Sequence, residues 1–133
     1  MNFVLGFDFG LKYIGLSIGE SITNRARPLK TLLAKDGVPD WLLLDNLIIL
    51  WNPCKLVVGV SSYVGDMKII HFCTKKFIKK LKYKYKLPIY EIDEKYTTWE
   101  AKSILSNNCY CKNFIKINSI SATIILEDWL NIK

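Results

Sequence analysis

Phe3-Val-Leu-Gly-Phe-Asp8-Phe-Gly10, followed closely by Tyr13-Ile-Gly-Leu-Ser-Ile-Gly19, decides how this chain folds. Residues 3–9 are apolar, rich in strand formers, and stop at Gly10. Residues 13–19 alternate Ile14, Leu16 and Ile18 with small or polar neighbours. Two such runs joined by a short link read as an antiparallel hairpin. Residues 26–33 supply a third strand. Pro39 and Asp40 then open a helix that runs to about Trp51, where Trp41, Leu44, Ile48 and Trp51 recur at helical spacing. Residues 55–60 are a short buried strand.

Further along, residues 71–86 place Ile70, Thr74, Phe77, Ile78, Leu81 and Tyr85 on one helical face and cover the rest with lysine. A fifth strand occupies residues 88–92. Thr97-Thr-Trp-Glu100 has the form of a capping box and starts a helix to about residue 105. The polar stretch 106–116 reads as a loop. A last helix runs from Asn118 or Ser119 to Leu130 and buries positions of the Ile120, Ile124 and Leu126 type. Three consecutive strands followed by alternating helices and strands describe an α/β domain, antiparallel at first and parallel afterwards.

Size and composition bound the function. The 133 residues suit one domain, 1–133, and 50% hydrophobic residues suffice for a real core. No apolar run approaches the roughly 20 residues of a membrane span, and Met1-Asn-Phe-Val4 lacks the basic region of a secretion signal. A soluble, cytoplasmic protein with no membrane partner is expected. Nineteen Lys and Arg against 12 Asp and Glu give a net charge of +7. Such a balance suits a polyanionic partner. Yet 17 of the 19 cations are Lys, beside 17 Ile and 9 Asn, the signature of an AT-rich coding sequence. Cys54, Cys73, Cys109 and Cys111 lack zinc spacing and read as reduced, packed thiols.

Two acidic positions carry the chemistry. Asp8 stands near the end of a strand that otherwise reads as buried, and a carboxylate there needs a partner or a cation. The neighbouring glycines allow a phosphate or a metal to approach closely. The structural alternative is an Asp that caps the hairpin turn. Asp93 and Glu94 come off the end of the fifth strand, at the sheet edge where α/β proteins bind ligands. Strand alternation sends them to opposite faces, so one of the two points into the site. Their alternative role is to complement the dipole of the following helix.

Together with Val57-Val-Gly-Val60, Asp93-Glu-Lys-Tyr-Thr-Thr-Trp-Glu-Ala101 and the closing Ser119-Ile-Ser-Ala-Thr-Ile-Ile-Leu-Glu-Asp-Trp-Leu130, these motifs resemble the YqgF/RuvX family over nearly the whole chain. Members are assigned to nucleolytic maturation of pre-16S ribosomal RNA and have also been proposed as Holliday junction resolvases. The resemblance implies an RNase H-like fold, with a five-stranded mixed sheet, antiparallel in its first three strands and flanked by helices. It implies phosphodiester hydrolysis with Mg²⁺ or Mn²⁺ held by Asp8 and by Asp93 or Glu94. A third family Asp corresponds to Asn118, which offers a carbonyl oxygen without charge and is equally suited to cap a helix. Lys95 replaces an Arg, and residues 61–66 replace the family's loop.

Seven lysines between residues 75 and 86 are interleaved with Tyr83 and Tyr85. Lys12, Lys75, Lys76, Lys79, Lys80 and Lys95 are the candidate contacts to nucleic acid, the alternative being a solvated helix face. The expected partner is pre-ribosomal RNA, with DNA junctions as a second substrate class, and the chain is expected to be a monomer or weak homodimer. A catalytically weakened RNA-binding factor is the alternative reading. The spacing of Asp8, Gly10 and Gly15 also occurs in the phosphate hairpin of sugar kinases and actin-like ATPases. Those proteins close two such domains around a nucleotide, and 133 residues supply one.

Overall fold

The computed structural model describes residues 2–60, 67–93 and 114–132. The strands are β1 (Phe3–Asp8), β2 (Tyr13–Glu20), β3 (Arg25–Lys35), β4 (Val38–Pro39), β5 (Lys55–Val60) and β6 (Ile89–Asp93). The helices are α1 (Trp41–Trp51), α2 (Met67–Tyr85) and α3 (Phe114–Ile132). One sheet runs in the order β4-β3-β2-β1-β5-β6. Its β4-β3-β2-β1 half is antiparallel, whereas β5 and β6 join β1 in parallel. The expected helix over residues 97–105, the start of the 106–116 loop, Cys109 and Cys111 lie outside the described residues, as do Glu94, Lys95 and residues 61–66.

The sheet has six strands rather than five. Asp36 and Gly37 both take positive φ, 52° and 83°, so the chain reverses in two residues and Val38–Pro39 pairs back onto Ala34–Lys35. Paired positive φ values are the hairpin turn that Asp-Gly favours. Pro39 therefore ends a strand instead of opening the helix. Asp40 is the N-cap, its carboxylate accepting from the Leu42 N–H at 3.0 Å. Pro28 sits beside the bulge where β3 pairs with β2, a tolerated place for a residue with no N–H to give.

The two faces of the sheet are built differently. Leu5, Phe7, Ile14, Leu16, Ile18, Leu56 and Val58 form a large core with Leu44 of α1 and Phe77, Ile78 and Leu81 of α2. Thr74 is buried with that face of α2, and its hydroxyl donates to the Ile70 carbonyl at 2.6 Å. The helix begins at Met67, four residues before the expected start, and its buried stripe is the one the sequence spacing describes. Phe77 holds three aromatic neighbours, Phe7, Phe9 and Trp41, at centroid distances of 5.6, 5.1 and 5.7 Å.

The opposite face presents Gly6, Gly15, Ser17 and Gly19 to α3. A Cβ on Gly6 would stand 2.9 Å from Leu126 Cβ, and one on Gly19 would stand 3.0 Å from Leu130 Cδ1. One on Gly15 would overlap the backbone of Asn118. The Ser17 hydroxyl donates to the Ala122 carbonyl at 2.7 Å across a fully buried contact. Ala122, Ile125, Leu126 and Leu130 are the buried apolar positions of α3, while Ile120 and Ile124 are only half-buried. The apolar periodicity assigned two isoleucines to a contact that Ser119 and Ala122 make, because a flat glycine-lined sheet selects small residues. The helix also starts at Phe114, so the expected loop ends early.

Between the two helices of the other face, the Asp45 carboxylate accepts from the Tyr85 hydroxyl at 2.5 Å, with Lys84 Nζ at 3.3 Å. The Tyr85 hydrogen bond, aided by Lys84, holds the Asp45 carboxyl below its ordinary 3.8 against the opposing effect of burial. Burial first, and the carboxylate second, push the Tyr85 phenol far above its ordinary range.

Two outcomes are expected. Gly15→Ala forces the α3 backbone away from β2 and costs about 3 kcal/mol in urea unfolding; an unchanged midpoint contradicts this packing. Because the folded pKa of Asp45 is depressed, its contribution to stability is full above the ordinary carboxylate range and disappears as pH falls through the folded value. In Tyr85→Phe, carbon-13 NMR titration should return Asp45 toward 3.8, and the stability gap to wild type should close in acid. A gap that persists at low pH contradicts the assignment.

Candidate active site at the carboxyl edge of the sheet

Asp8 is the last residue of β1 and is 5% exposed. Its neighbours across the sheet are both glycine, Gly15 on β2 and Gly59 on β5. The carboxylate therefore leaves the sheet from a row in which neither adjacent strand contributes a side chain. The same row continues through Gly59 to Ile92 on β6. Asp93 pairs with Val60, one position further along.

The glycine on the β2 side is covered by α3. The space that a Gly15 side chain would occupy is taken by the carbonyl of Asn118 and the N–H of Ser119. Asp8 and the Asn118 segment are thus brought to adjacent strands of one sheet edge by a single close contact. Asn118 is the fifth residue of α3, inside the helix and not at its N-terminus. The N-cap reading of Asn118 is overturned: its backbone belongs to a continuing helix that starts four residues earlier.

The row also identifies what the sequence reading passed over. Gly59 lies within the Val57-Val-Gly-Val60 motif, and its place beside Asp8 follows only from the parallel register of β1 and β5. Asp36 and Gly37 matter to the site too, because the turn they make closes on the β1–β2 link. The Gly37 N–H donates to the Leu11 carbonyl at 2.9 Å, and the Ala34 N–H to that of Lys12 at 2.7 Å. The Asp-Gly dipeptide was the signal for that turn.

Among the described residues, no three His, Cys, Asp or Glu side chains gather in a metal-binding group. The residues fit a hard cation in kind, however. Asp8 offers a buried carboxylate without flanking side chains, and Asn118 offers an amide oxygen, both donors suited to Mg²⁺ or Mn²⁺. Glu94, the remaining candidate acid, lies outside the described residues. Cys54 and Cys73 are free thiols, and the Cys54 thiol donates to the Phe3 carbonyl at 3.4 Å.

The candidate nucleic-acid contacts separate. Lys12 is exposed in the β1–β2 link, at the edge that Asp8 occupies. Lys75 is tied to Glu91 of β6 at 2.7 Å. Lys76, Lys79 and Lys80 are exposed on α2, and Lys80 Nζ stands 5.8 Å from the Trp41 ring. Among the described residues no helix is long and apolar enough to cross a membrane.

Known proteins resemble this chain in sequence and in fold. A pre-16S rRNA nuclease, provisionally so named, of Buchnera aphidicola from Acyrthosiphon pisum is 44% identical over 131 residues, covering 96% of this chain and 97% of the other. The protein of the same name from Wigglesworthia glossinidia brevipalpis is 40% identical over 133 residues, covering 98% and 92%. That of Legionella pneumophila is 38% identical over 129 residues, covering 95% and 93%. Among solved structures, Thermus thermophilus RuvC in complex with a Holliday junction superposes with a TM-score of 0.58 at 12% identity, over 99% of this chain and 95% of that one. The Fowlpox virus resolvase bound to junction DNA gives 0.56 at 10% identity, over 98% and 97%. These likenesses establish the RNase H-like fold. The family model described as RuvX, Holliday junction resolvase, matches residues 2–132, and the chain belongs to that family.

Proposed function

We propose that this chain is a divalent-metal-dependent nuclease that acts in maturation of the 5′ end of pre-16S ribosomal RNA. The observation that carries the reading is the glycine-flanked row Gly15–Asp8–Gly59, with α3 laid against one end. A buried carboxylate with bare backbone on both sides leaves room for a cation and a phosphate to approach. The near-complete coverage of relatives carrying the nuclease name supports the choice of substrate.

Within that reading Asp8 is the central metal ligand. The second acid is Glu94 in preference to Asp93, because the row of Asp8 returns at Ile92 and the strand period is two residues. Asn118 contributes an amide oxygen in the third position. Bound there, a pair of Mg²⁺ or Mn²⁺ ions supplies an activated water and stabilises the leaving oxygen of an in-line displacement. Two strand pairings fix the backbone of Asp8, so little reorganisation of the main chain accompanies the reaction. Asn118 orients without adding charge, which weakens the hold on cations relative to a third carboxylate. Lys12 stands at the same edge, where an ammonium meets a substrate phosphate.

The same amide favours a second reading, an RNA-binding factor of ribosome biogenesis with reduced turnover. Holliday junction cleavage is a third, favoured by the fold of the junction-bound resolvases, and it requires two sites acting together.

The test is cleavage of an RNA spanning the precursor 5′ end in Mg²⁺ or Mn²⁺. Asp8→Ala should lower the rate at least a hundredfold, roughly the loss on removing one key electrostatic group. Glu94→Gln should do likewise and Asp93→Asn should not. Asn118→Asp should raise both Mn²⁺ affinity, by calorimetry, and turnover. Equal cutting by wild type and Asp8→Ala removes the assigned site. Intact RNA binding without cleavage in wild type and in Asn118→Asp establishes the binding factor instead.

A further inference from the structure

We infer that the exposed face of α2 is a binding track for an unpaired polynucleotide strand, with Phe72 and Tyr83 as stacking platforms and Lys76, Lys79 and Lys80 as phosphate contacts. The inference rests on the nucleic-acid reading above and names the form in which the strand is bound.

The observations are geometric. At about 100° per residue, Phe72, Lys76, Lys79 and Tyr83 fall within an arc of about 60° on the helix, with Lys80 at its side. Phe72 is 67% exposed and Tyr83 is 80% exposed, although each is large enough to be buried with profit. The buried stripe of the same helix is complete without them, being made by Thr74, Phe77, Ile78 and Leu81. Two rings are thus set out in solvent, about 16 Å apart along the axis, with lysines between them.

Among the described residues, no carboxylate takes up the charges of this face. The ion pairs of the described α2 residues belong to Lys75 and Lys84, which point to Glu91 and Asp45 on either flank. Lys76, Lys79 and Lys80 form no ion pair among the described residues. Near Phe72 the face opens into a groove of 190 Å³ whose walls include Val38, Trp41, Lys76 and Lys80. Asp36 also lines it, so the groove is mixed in charge there and the surface becomes basic further along α2.

The groove also lies next to the candidate active edge. A Cβ on Gly37, in its wall, would stand 2.7 Å from the Phe9 ring and 3.3 Å from Cys73 Cβ. Phe9 directly follows Asp8. A strand held at the edge can therefore continue onto α2 at Phe72 and run toward Tyr83.

Stacking on isolated rings requires bases that are splayed apart, which a single strand offers and a continuous duplex hides. A second copy of this chain is disfavoured as the occupant, since it would bring an identical row of ammonium groups against the first.

The test is fluorescence anisotropy with a labelled oligouridylate and a blunt RNA duplex, both in EDTA to prevent cutting, using the full chain. Phe72→Ala and Tyr83→Ala should each weaken single-strand binding by roughly fivefold to a hundredfold and leave duplex binding within about twofold. Phe72→Tyr, which keeps a ring, should bind as wild type. Replacing Lys76, Lys79 and Lys80 with Gln should reduce the slope of log affinity against log salt by about 2 for the single strand. Unchanged single-strand binding in both alanine variants, equal losses on duplex, or failure of Phe72→Tyr to retain affinity overturns the track. Cleavage assayed in Mg²⁺ separates the two claims. Ring-dependent binding without any cleavage refutes only the nuclease reading, and cleavage with ring-independent binding refutes only the track.

Discussion

The structure depends on how closely α3 lies against the sheet. Gly6, Gly15 and Gly19 leave no side chains under the helix, and the buried Ser17 hydroxyl finds its acceptor in the Ala122 carbonyl of that helix. Ser119 and Ala122 make the matching flat surface on the helix. On the other face large side chains set the spacing, and Phe77 with its three aromatic neighbours fills it. One face is thus specified by volume and the other by its absence. The functional geometry comes from the second, because the contact that packs Asn118 on Gly15 also sets it beside the strand of Asp8.

This contact explains which parts of the fold were legible in the sequence. The hairpin of β1 and β2, the parallel pairing of β5 and β6, and the buried stripe of α2 all follow from apolar period, since large side chains mark their own positions. The α3 contact does not. Small residues carry no hydrophobic signal, so Ile120 and Ile124 took the place that Ser119 and Ala122 hold. The polar composition before residue 116 hid the start at Phe114, and with it the fact that Asn118 is inside the helix. The sixth strand was hidden for another reason. Asp36-Gly37 is a strong turn signal, but the strand it generates is two residues long and ends in proline, too short to show a period.

The site was legible in part for the same physical reasons. Asp8 could be singled out because a carboxylate conflicts with the buried strand around it. Its setting could not, because Gly59 becomes its neighbour only through strand register. The cations divide similarly. Composition showed an excess of lysine, and the structure sorts it. Lys75 and Lys84 serve as ties between elements, whereas Lys76, Lys79 and Lys80 are left to solvent beside two exposed rings. Net charge alone suggests a polyanion; the order of rings and ammonium groups along α2 suggests which form of polyanion.

The central claim is that the slot between Gly15 and Gly59 makes Asp8 a cation seat. The most direct measurement is anomalous scattering from a crystal soaked in Mn²⁺. The expected result is a manganese peak within coordinating distance of the Asp8 carboxylate, shared with Glu94 and reached by the Asn118 amide. A crystal that binds manganese only at other acidic side chains, or leaves Asp8 without a peak at saturating metal, contradicts the account.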